Sequence, residues 1–202
     1  VEDNVDPVAI CQDITVQLDA AGAASITTAD IDNGSNDACG IQSLALDVTA
    51  FDCTDVGTNT VTLTVTDNNN NVSTCTATVT VEDNVDPVAI CQDITVQLDA
   101  AGAASITTAD IDNGSSDACG IQSLALDVTA FDCTDVGANT VTLTVTDNNN
   151  NVSTCTATVT VEDNVDPVAI CQDITVQLDG SGTAVITPAD IDNGSNDACG
   201  IA

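Results

Sequence analysis

The stretch TVTLTVTDNNNNVSTCTATVTV, residues 60–81, alternates apolar and polar side chains on both sides of an Asn-rich turn. The apolar side chains fall on one face of the two runs: Val61, Leu63, Val65, Cys75, Ala77, Val79 and Val81. Because successive side chains of a strand point to opposite faces, the two runs predict a β-hairpin with one buried face. This hairpin indicates an all-β fold.

The hairpin belongs to a repeat with a period of 80 residues. Residues 1–80 and 81–160 differ only at Asn36/Ser116 and Thr58/Ala138. Further strands are predicted in the first copy at Ala9–Leu18, Ala23–Thr27, Ile41–Val48 and Ala50–Cys53. About seven short strands per repeat predict tandem immunoglobulin-like β-sandwich domains. We expect domains at 1–80 and 81–160, a partial domain at 161–202, and an elongated rod of copies that all do the same job.

The composition limits the possible partners. The chain of 202 residues has 32 acidic residues and no Lys, Arg or His, which gives a formal charge of −32. No carboxylate can form a salt bridge within the chain, so bound or condensed cations must relieve the repulsion. The patterned hydrophobic residues, 43% of the chain, argue against disorder. The charge excludes nucleic acid and anionic membrane surfaces as partners, and no run is long and apolar enough for membrane insertion.

The same composition argues against an enzyme. Without His, Lys, Arg or Tyr, catalysis would depend on carboxylates, thiols or hydroxyls alone. Paired carboxylates hydrolyse glycosides in some enzymes, but here the acids lie in turns without aromatic platforms for a sugar. The chain begins without Met and stops partway through a copy, so we expect a part of a longer exported protein.

Ten cysteines at repeating positions predict an oxidising, extracellular compartment. The core has Phe51 as the single aromatic of its repeat, so a further source of stability is needed. Of three possible pairings in a complete repeat, we favour Cys11–Cys75 and Cys39–Cys53, worth roughly 4 and 3 kcal/mol. The matching bonds of the second repeat are Cys91–Cys155 and Cys119–Cys133. Metal ligation by the thiols is disfavoured, because the chain has neither His nor a CxxC motif.

Three segments of each repeat concentrate oxygen ligands: the acidic joint, the long polar loop and the hairpin turn. Around the second repeat the candidate ligands are Glu82, Asp83, Asn84, Asp86, Asp110, Asp112, Asn113, Asp117 and Asp147. The corresponding candidates elsewhere are Asp30, Asp32, Asp37, Asp67, Glu162, Asp163 and Asp166. These segments emerge at the same end of a sandwich, and an all-oxygen site fits Ca²⁺. The alternative is that Asp and Asn simply form solvated turns.

The chain also resembles a known family. The motifs that carry the likeness are DNVDPVAICQDITVQL, DACGI and VGTNTVTLTVTDNNNNVSTCTATVTV, which begin at Asp3, Asp37 and Val56. They are similar to the hyalin repeat (HYR-like) domain, although Thr76 and Asn70 stand where that family usually has an aromatic residue and Gly. The resemblance implies an immunoglobulin-like sandwich in large secreted or surface proteins of Bacteroidota-type bacteria, including gliding-motility adhesins. The joint also resembles the calcium linker of cadherins in composition.

These patterns support three functional hypotheses. The first is a secreted, calcium-stiffened and disulfide-stabilised stalk or filament that self-associates into a fibre. The second is the spacer of a cell-surface adhesin, in which a distal domain binds a cell-surface or glycan ligand. The third treats the Thr-rich strand faces as an ice- or glycan-binding surface, although Thr is also common on solvated strands. The Thr rows are Thr60, Thr62, Thr64, Thr66, Thr74, Thr76, Thr78 and Thr80.

Overall fold

The computed structural model describes residues 2–201. The strands of the first repeat are β1 (Ile14–Gln17), β2 (Ala23–Ser25), β3 (Ile41–Leu46), β4 (Ala50–Asp52), β5 (Gly57–Asp67) and β6 (Val72–Glu82). Those of the second are β7 (Ile94–Gln97), β8 (Ala103–Ser105), β9 (Ile121–Leu126), β10 (Ala130–Asp132), β11 (Gly137–Asp147) and β12 (Val152–Glu162). Single helical turns are α1 (Thr28–Ile31), α2 (Thr108–Ile111) and α3 (Pro188–Ile191), and 3₁₀ turns lie at Cys53–Asp55 and Cys133–Asp135.

Each complete repeat contains two sheets. In the first repeat the larger sheet has the order β1-β6-β5-β3, and the smaller pairs β2 with β4. β1 runs parallel to β6, whereas β5 is antiparallel to both β6 and β3. The second repeat has the same arrangement, with β7-β12-β11-β9 and β8-β10. The predicted tandem immunoglobulin-like sandwiches are therefore confirmed.

The hairpin of β5 and β6 forms the centre of the first sandwich. Val61, Leu63 and Val65 are fully buried and alternate with more exposed Thr residues, as the pattern predicted. Burial of each such side chain contributes about 1.5–3 kcal/mol. The opposite sheet adds Phe51, which is 4% exposed, and α1 adds the fully buried Ile31.

Asp67 organises the turn of this hairpin. Its Oδ1 accepts hydrogen bonds from the backbone amides of Asn69 and Asn71, both at 2.8 Å, and its Oδ2 accepts one from Asn71 Nδ2 at 2.7 Å. Asn70 has a φ of 69°, a left-handed conformation that Asn adopts more readily than most residues. The Asn-rich turn is thus built around one buried carboxylate.

One disulfide in each complete repeat lies within the sandwich. Cys11 bonds to Cys75 with a Cα–Cα distance of 5.8 Å, and Cys91 bonds to Cys155 with the same separation. The parallel register of Ile14 with Val79 brings the segment before β1 alongside β6. This bond therefore fastens the first strand to the last.

The predicted Cys39–Cys53 and Cys119–Cys133 bonds are wrong. Cys53 is joined to Cys119 and Cys133 to Cys199, each with a Cα–Cα distance of 5.1 Å, and Cys39 and Cys171 are free. The two observed bonds, Cys53–Cys119 and Cys133–Cys199, therefore each join neighbouring repeats.

The lengths of the strands explain the error. Ile41 pairs with Asp67 at one end of β5, and Gly57 pairs with Val81 at the other end. Ten residues of strand span about 33 Å. Cys39 precedes Ile41 and Cys53 precedes Gly57, so the two cysteines lie at opposite ends of the sandwich. A disulfide requires Cα atoms less than about 7 Å apart.

The chain divides into two compact units whose limits differ from those of the repeats. The first contains residues up to Val88 together with Ser116–Ser123 and Val145–Ser153. The second contains Ala89–Ser115, Leu124–Thr144 and the residues from Thr154 onward. The first unit thus combines the first repeat with one loop and the hairpin turn of the second. The predicted domain limits at 80 and 160 stay a prediction.

Cleavage at glutamate tests the disulfide pattern. The chain has glutamates only at Glu2, Glu82 and Glu162, so a glutamate-specific protease cuts once in each joint. After thiol blocking and digestion in urea, we expect the fragments 3–82, 83–162 and 163–202 to remain one covalent species, because Cys53–Cys119 and Cys133–Cys199 connect them. Mass spectrometry before and after reduction measures this. Release of three separate fragments without reduction would show that the bonds close within repeats.

Candidate metal centre

The joint between the first two repeats, residues 81–88, directly continues β6. The backbone amide of Val85 donates to Asp83 Oδ1 at 3.0 Å, so the chain turns around this carboxylate. Pro87 is buried at the end of the turn, whereas Glu82, Asn84 and Asp86 are exposed. Asp83 is only 7% exposed. The joint therefore directs one of its three acids inward.

The polar loop of the second repeat lies against this joint. Val88 and Ser116 form a β-bridge through two backbone hydrogen bonds of 2.8 and 3.0 Å. The next residue, Asp117, accepts a hydrogen bond from the amide of Cys119 at 2.7 Å. One carboxylate oxygen each of Asp83 and Asp117 and the Sγ atom of Cys119 lie within 4.8 Å of one another.

The hairpin turn of the second repeat completes the surroundings. Asn151 Nδ2 donates to the backbone carbonyl of Asp83 at 3.1 Å, and Asn148 Nδ2 donates to that of Cys119 at 2.7 Å. The fully buried Asp147 accepts hydrogen bonds from Asn149 N, Asn151 N and Asn151 Nδ2, each at 2.8 Å. Asp147 thus holds the turn and positions Asn151, and both its oxygens already have donors.

The centre contains an unsatisfied charge. Asp83 Oδ2 is buried and has no hydrogen-bond partner. Burial of such an atom costs about 1–3 kcal/mol, and more when the group is charged. Two unit negative charges about 4 Å apart near a protein surface repel each other by about 4 kcal/mol. Since the chain has no Lys, Arg or His, a cation from solution would satisfy both carboxylates at once.

The available donors select the kind of metal. Cys119 is bonded to Cys53, so its sulfur is not a thiolate ligand. The remaining donors, the carboxylates of Asp83 and Asp117, are oxygens, which suit Ca²⁺ rather than zinc or copper. The residues present therefore fit a calcium ion that completes its shell with further oxygen ligands.

Equivalent groups occur in the other repeats. Within residues 2–201 they are Asp3, Asp37 and Cys39, and Asp163, Asp197 and Cys199. Sequence reasoning named Asp37 and Asp163 but missed Asp3 and Asp197, which the repeat places in register with Asp83 and Asp117. In the first of these groups, a hydrogen bond with Asp3 raises the pKa of the Cys39 thiol. The negative charges of Asp3, Asp37 and Asp67 raise it further.

Three other candidate ligands, Glu82, Asn84 and Glu162, contact or belong to the end of the preceding repeat. Glu82 Oε2 accepts a hydrogen bond from Gln17 Nε2 at 2.7 Å, and Asn84 Nδ2 donates to Gln17 Oε1 at 2.6 Å. Glu162 accepts one from Gln97 in the same way, at 2.6 Å. Asp86 and Asp166 are exposed. None of these residues belongs to the three ligand groups described above.

The candidate ligands in the first half of the polar loop serve local turns. Asp110 accepts hydrogen bonds from the amide and hydroxyl of Thr107, both at 2.7 Å, and caps α2; the hydroxyl and then the amide lower its pKa. Asp112 accepts a hydrogen bond from the amide of Ser115 at 3.0 Å, and Asn113 N donates to Ile90 O at 2.9 Å. In the first repeat Asp30 and Asp32 bond Thr27 and Ser35 in the same way.

A close contact supports the Cys53–Cys119 bond. Gly22, in the turn before β2, has a φ of 72°. A Cβ atom at this position would lie 2.6 Å from Cys53 Sγ and 3.2 Å from Ala118 Cβ. The turn of the first repeat therefore approaches the polar loop of the second so closely that only Gly fits without displacement.

No family model and no curated protein matches the chain. The hyalin-repeat resemblance therefore stays a prediction. Among residues 2–201, no helix is both long and apolar enough to cross a membrane.

The solved structures similar to this chain include extracellular regions of protocadherins. Protocadherin gamma B7 domains 1–4 align with 86% of this chain and 55% of their own, at 12% identity and a TM-score of 0.39. Protocadherin gamma B2 domains 1–5 align with 88% of this chain and 44% of their own, at 16% identity and a TM-score of 0.38. Human mucin-like protocadherin domains 1–2 align with 75% of this chain and 96% of their own, at 14% identity and a TM-score of 0.39. The chain thus spans about half the length of the first two.

Replacement of Gly22 tests the contact between the turn and the loop. Gly22→Ala should reduce stability by about 1–3 kcal/mol beyond the cost of its positive φ, because the methyl group would clash with Cys53 Sγ. Gly34→Ala is the matched control, since Gly34 has a φ of 90° and open space around its Cβ position. Urea unfolding and the yield of the Cys53–Cys119 bond in a glutathione buffer measure the effect. Equal losses for both variants would contradict the contact.

Proposed function

We propose that this chain is a non-enzymatic part of an extracellular stalk or filament, in which calcium and a disulfide stiffen each junction between repeats. The observation that carries the proposal is the buried, unpartnered Oδ2 of Asp83 beside Asp117. An ion held by Asp83 of the joint and Asp117 of the polar loop would resist any motion that separates the joint from this loop, beside the disulfide that joins Cys119 to the first repeat.

The disulfides support the extracellular and structural parts of the proposal. Four disulfides in tandem immunoglobulin-like repeats point to an oxidising, extracellular compartment. Cys53–Cys119 gives the first two repeats a second covalent connection besides the joint itself. Two connections leave the junction less freedom to bend than a single backbone segment.

Calcium would act beside this disulfide. Asp83 and Asp117 would hold the ion, which would supply the positive charge that the chain lacks. Extracellular modules bind calcium with dissociation constants of about 10⁻⁴–10⁻³ M. When free calcium is about 100 times the dissociation constant, binding stabilises the folded junction by about 2.7 kcal/mol.

The near-identity of the repeats supports an array rather than a set of separate recognition domains. The first two copies differ at two positions, Asn36/Ser116 and Thr58/Ala138. Asn36, Ser116 and Thr58 are exposed. Such an array suits a fibre, and it equally suits the spacer of a bacterial surface adhesin whose distal domain binds its ligand. A full gene that ends in a unique domain would favour the spacer, and repeats throughout would favour the fibre.

Calcium titration of two charge-matched variants tests the site. We expect Asp83→Asn to weaken binding at one site by roughly tenfold or more, because the charge of the ligands sets calcium affinity. Asp86→Asn removes the same charge from an exposed position of the same joint and should leave binding unchanged. Isothermal titration of the metal-depleted full chain measures both. Equal effects of the two variants would indicate only general attraction of cations to an acidic surface.

Removal of calcium tests the stiffening. In small-angle X-ray scattering and electron micrographs, EDTA should shorten or soften the particles formed by the wild-type chain. The Asp83→Asn variant should respond less, since one of its junctions already lacks the ion. Wild-type particles with the same dimensions in calcium and in EDTA would contradict the stiffening role.

A further inference from the structure

The first repeat carries a junction face that resembles an occupied face of the second repeat. We define this junction face as Asp3, Asp37, Ala38 and Cys39. Its counterpart in the second repeat is Asp83, Asp117, Ala118 and Cys119, and that in the third is Asp163, Asp197, Ala198 and Cys199. In both counterparts the cysteine is in a disulfide, whereas Cys39 is free and exposed.

The same kind of surface covers both counterparts. We call it the turn face, and in the first repeat it consists of Asp19–Gly22 and Cys53. Gly22 and Cys53 lie against Ala118 and Cys119. In the second repeat Gly102 and Cys133 lie against Ala198 and Cys199, with the same 3.2 Å from the Gly Cβ position to the Ala Cβ atom. The chain therefore shows two instances of one docking arrangement.

Burial of the cysteine follows this docking. Cys119 and Cys199, in the covered junctions, are half-buried, whereas Cys39 is exposed. The amide of Val5 donates to Asp3 Oδ1 at 3.1 Å, as Val85 does to Asp83, so the joint itself has the same form. The difference at the cysteine therefore lies in what covers it.

We propose that the junction face of the first repeat is a docking surface for the turn face of another repeat of this same sequence, and that Cys39 closes a disulfide with the cysteine of that turn face. The partner is therefore an immunoglobulin-like repeat with Gly and Cys in the positions of Gly22 and Cys53.

The bond requires an oxidant, which a small-molecule disulfide such as oxidised glutathione supplies. One protein thiolate attacks a glutathione sulfur, so the S–S bond of glutathione breaks and one glutathione thiolate leaves. The second protein thiolate then attacks the protein sulfur of this mixed disulfide and displaces the second glutathione thiolate. Two protein thiols are oxidised to one disulfide, and one oxidised glutathione is reduced to two thiols.

The test adds the proposed partner to the complete chain. A further copy of residues 81–160 is placed directly before Val1, and the protein is folded in a glutathione buffer. A maleimide should label Cys39 in the original chain, where it is free and exposed, but not in the extended chain. Cys171 is free and exposed in the original chain and serves as the internal control, since it should be labelled in both proteins.

Digestion of the extended chain identifies the bond. A glutamate-specific protease cuts after Glu2 and should nevertheless leave the added copy attached until reduction, because Cys39 holds it. Cys39→Ser should release it without reduction. In a matched variant, Cys39→Ser with Asn36→Cys, the thiol lies on the same exposed loop but outside the junction face, and the added copy should again be released.

The outcomes separate docking from calcium binding. Protection of Cys39 in both calcium and EDTA would support docking, even if the calcium titrations failed. Labelling of Cys39 in the extended chain, or equal linkage through Cys39 and the displaced thiol of the matched variant, would overturn the proposal.

Discussion

The absence of any cationic side chain is the constraint on which this structure depends. With 32 acids and no Lys, Arg or His, carboxylates are held by amides, hydroxyls and side-chain amides of Asn and Gln. Asp67 and Asp147 organise the hairpin turns, Asp30 and Asp110 cap α1 and α2, and Asp13 accepts a hydrogen bond from the amide of Thr78. Among the buried side-chain oxygens of residues 2–201, Asp83 Oδ2 differs, because it has no donor. This unsatisfied oxygen is the basis of the proposed calcium site.

The same hydrogen bonds make the stability of the folded chain depend on pH. The Thr27 hydroxyl and then its amide lower the pKa of Asp30, and the Thr54 hydroxyl and amide do the same for Asp52. A carboxyl group whose pKa is lower in the folded state contributes stability above its unfolded pKa of about 3.9, and loses it as the pH falls through the folded value. Protonation also relieves the repulsion among the acids, so these two effects of acid oppose each other.

The sequence predicted the interior of each repeat better than its ends. The alternation in residues 60–81 predicted the β5–β6 hairpin and its buried face, because a period of two depends only on neighbouring residues. The pairing of Cys39 with Cys53 was wrong, because closeness in sequence gave no information about the length of β5 between them. Asp83 and Asp117 were named within a larger set of acids, but the hydrogen bonds that occupy Asp110 and Asp147 appear only in three dimensions.

The disulfides that cross the junctions also determine how the chain transmits tension. A pull on its two ends would follow the shortest covalent route, which enters at Cys11 and crosses to Cys75. The route then runs back through β6 and β5 to Cys53, crosses to Cys119, and continues to Cys133 and Cys199. Most residues lie off this route, so their backbone would carry no tension even if every sandwich unfolded. The length that the chain can reach under load is therefore limited by its cross-links and would increase only when they are reduced.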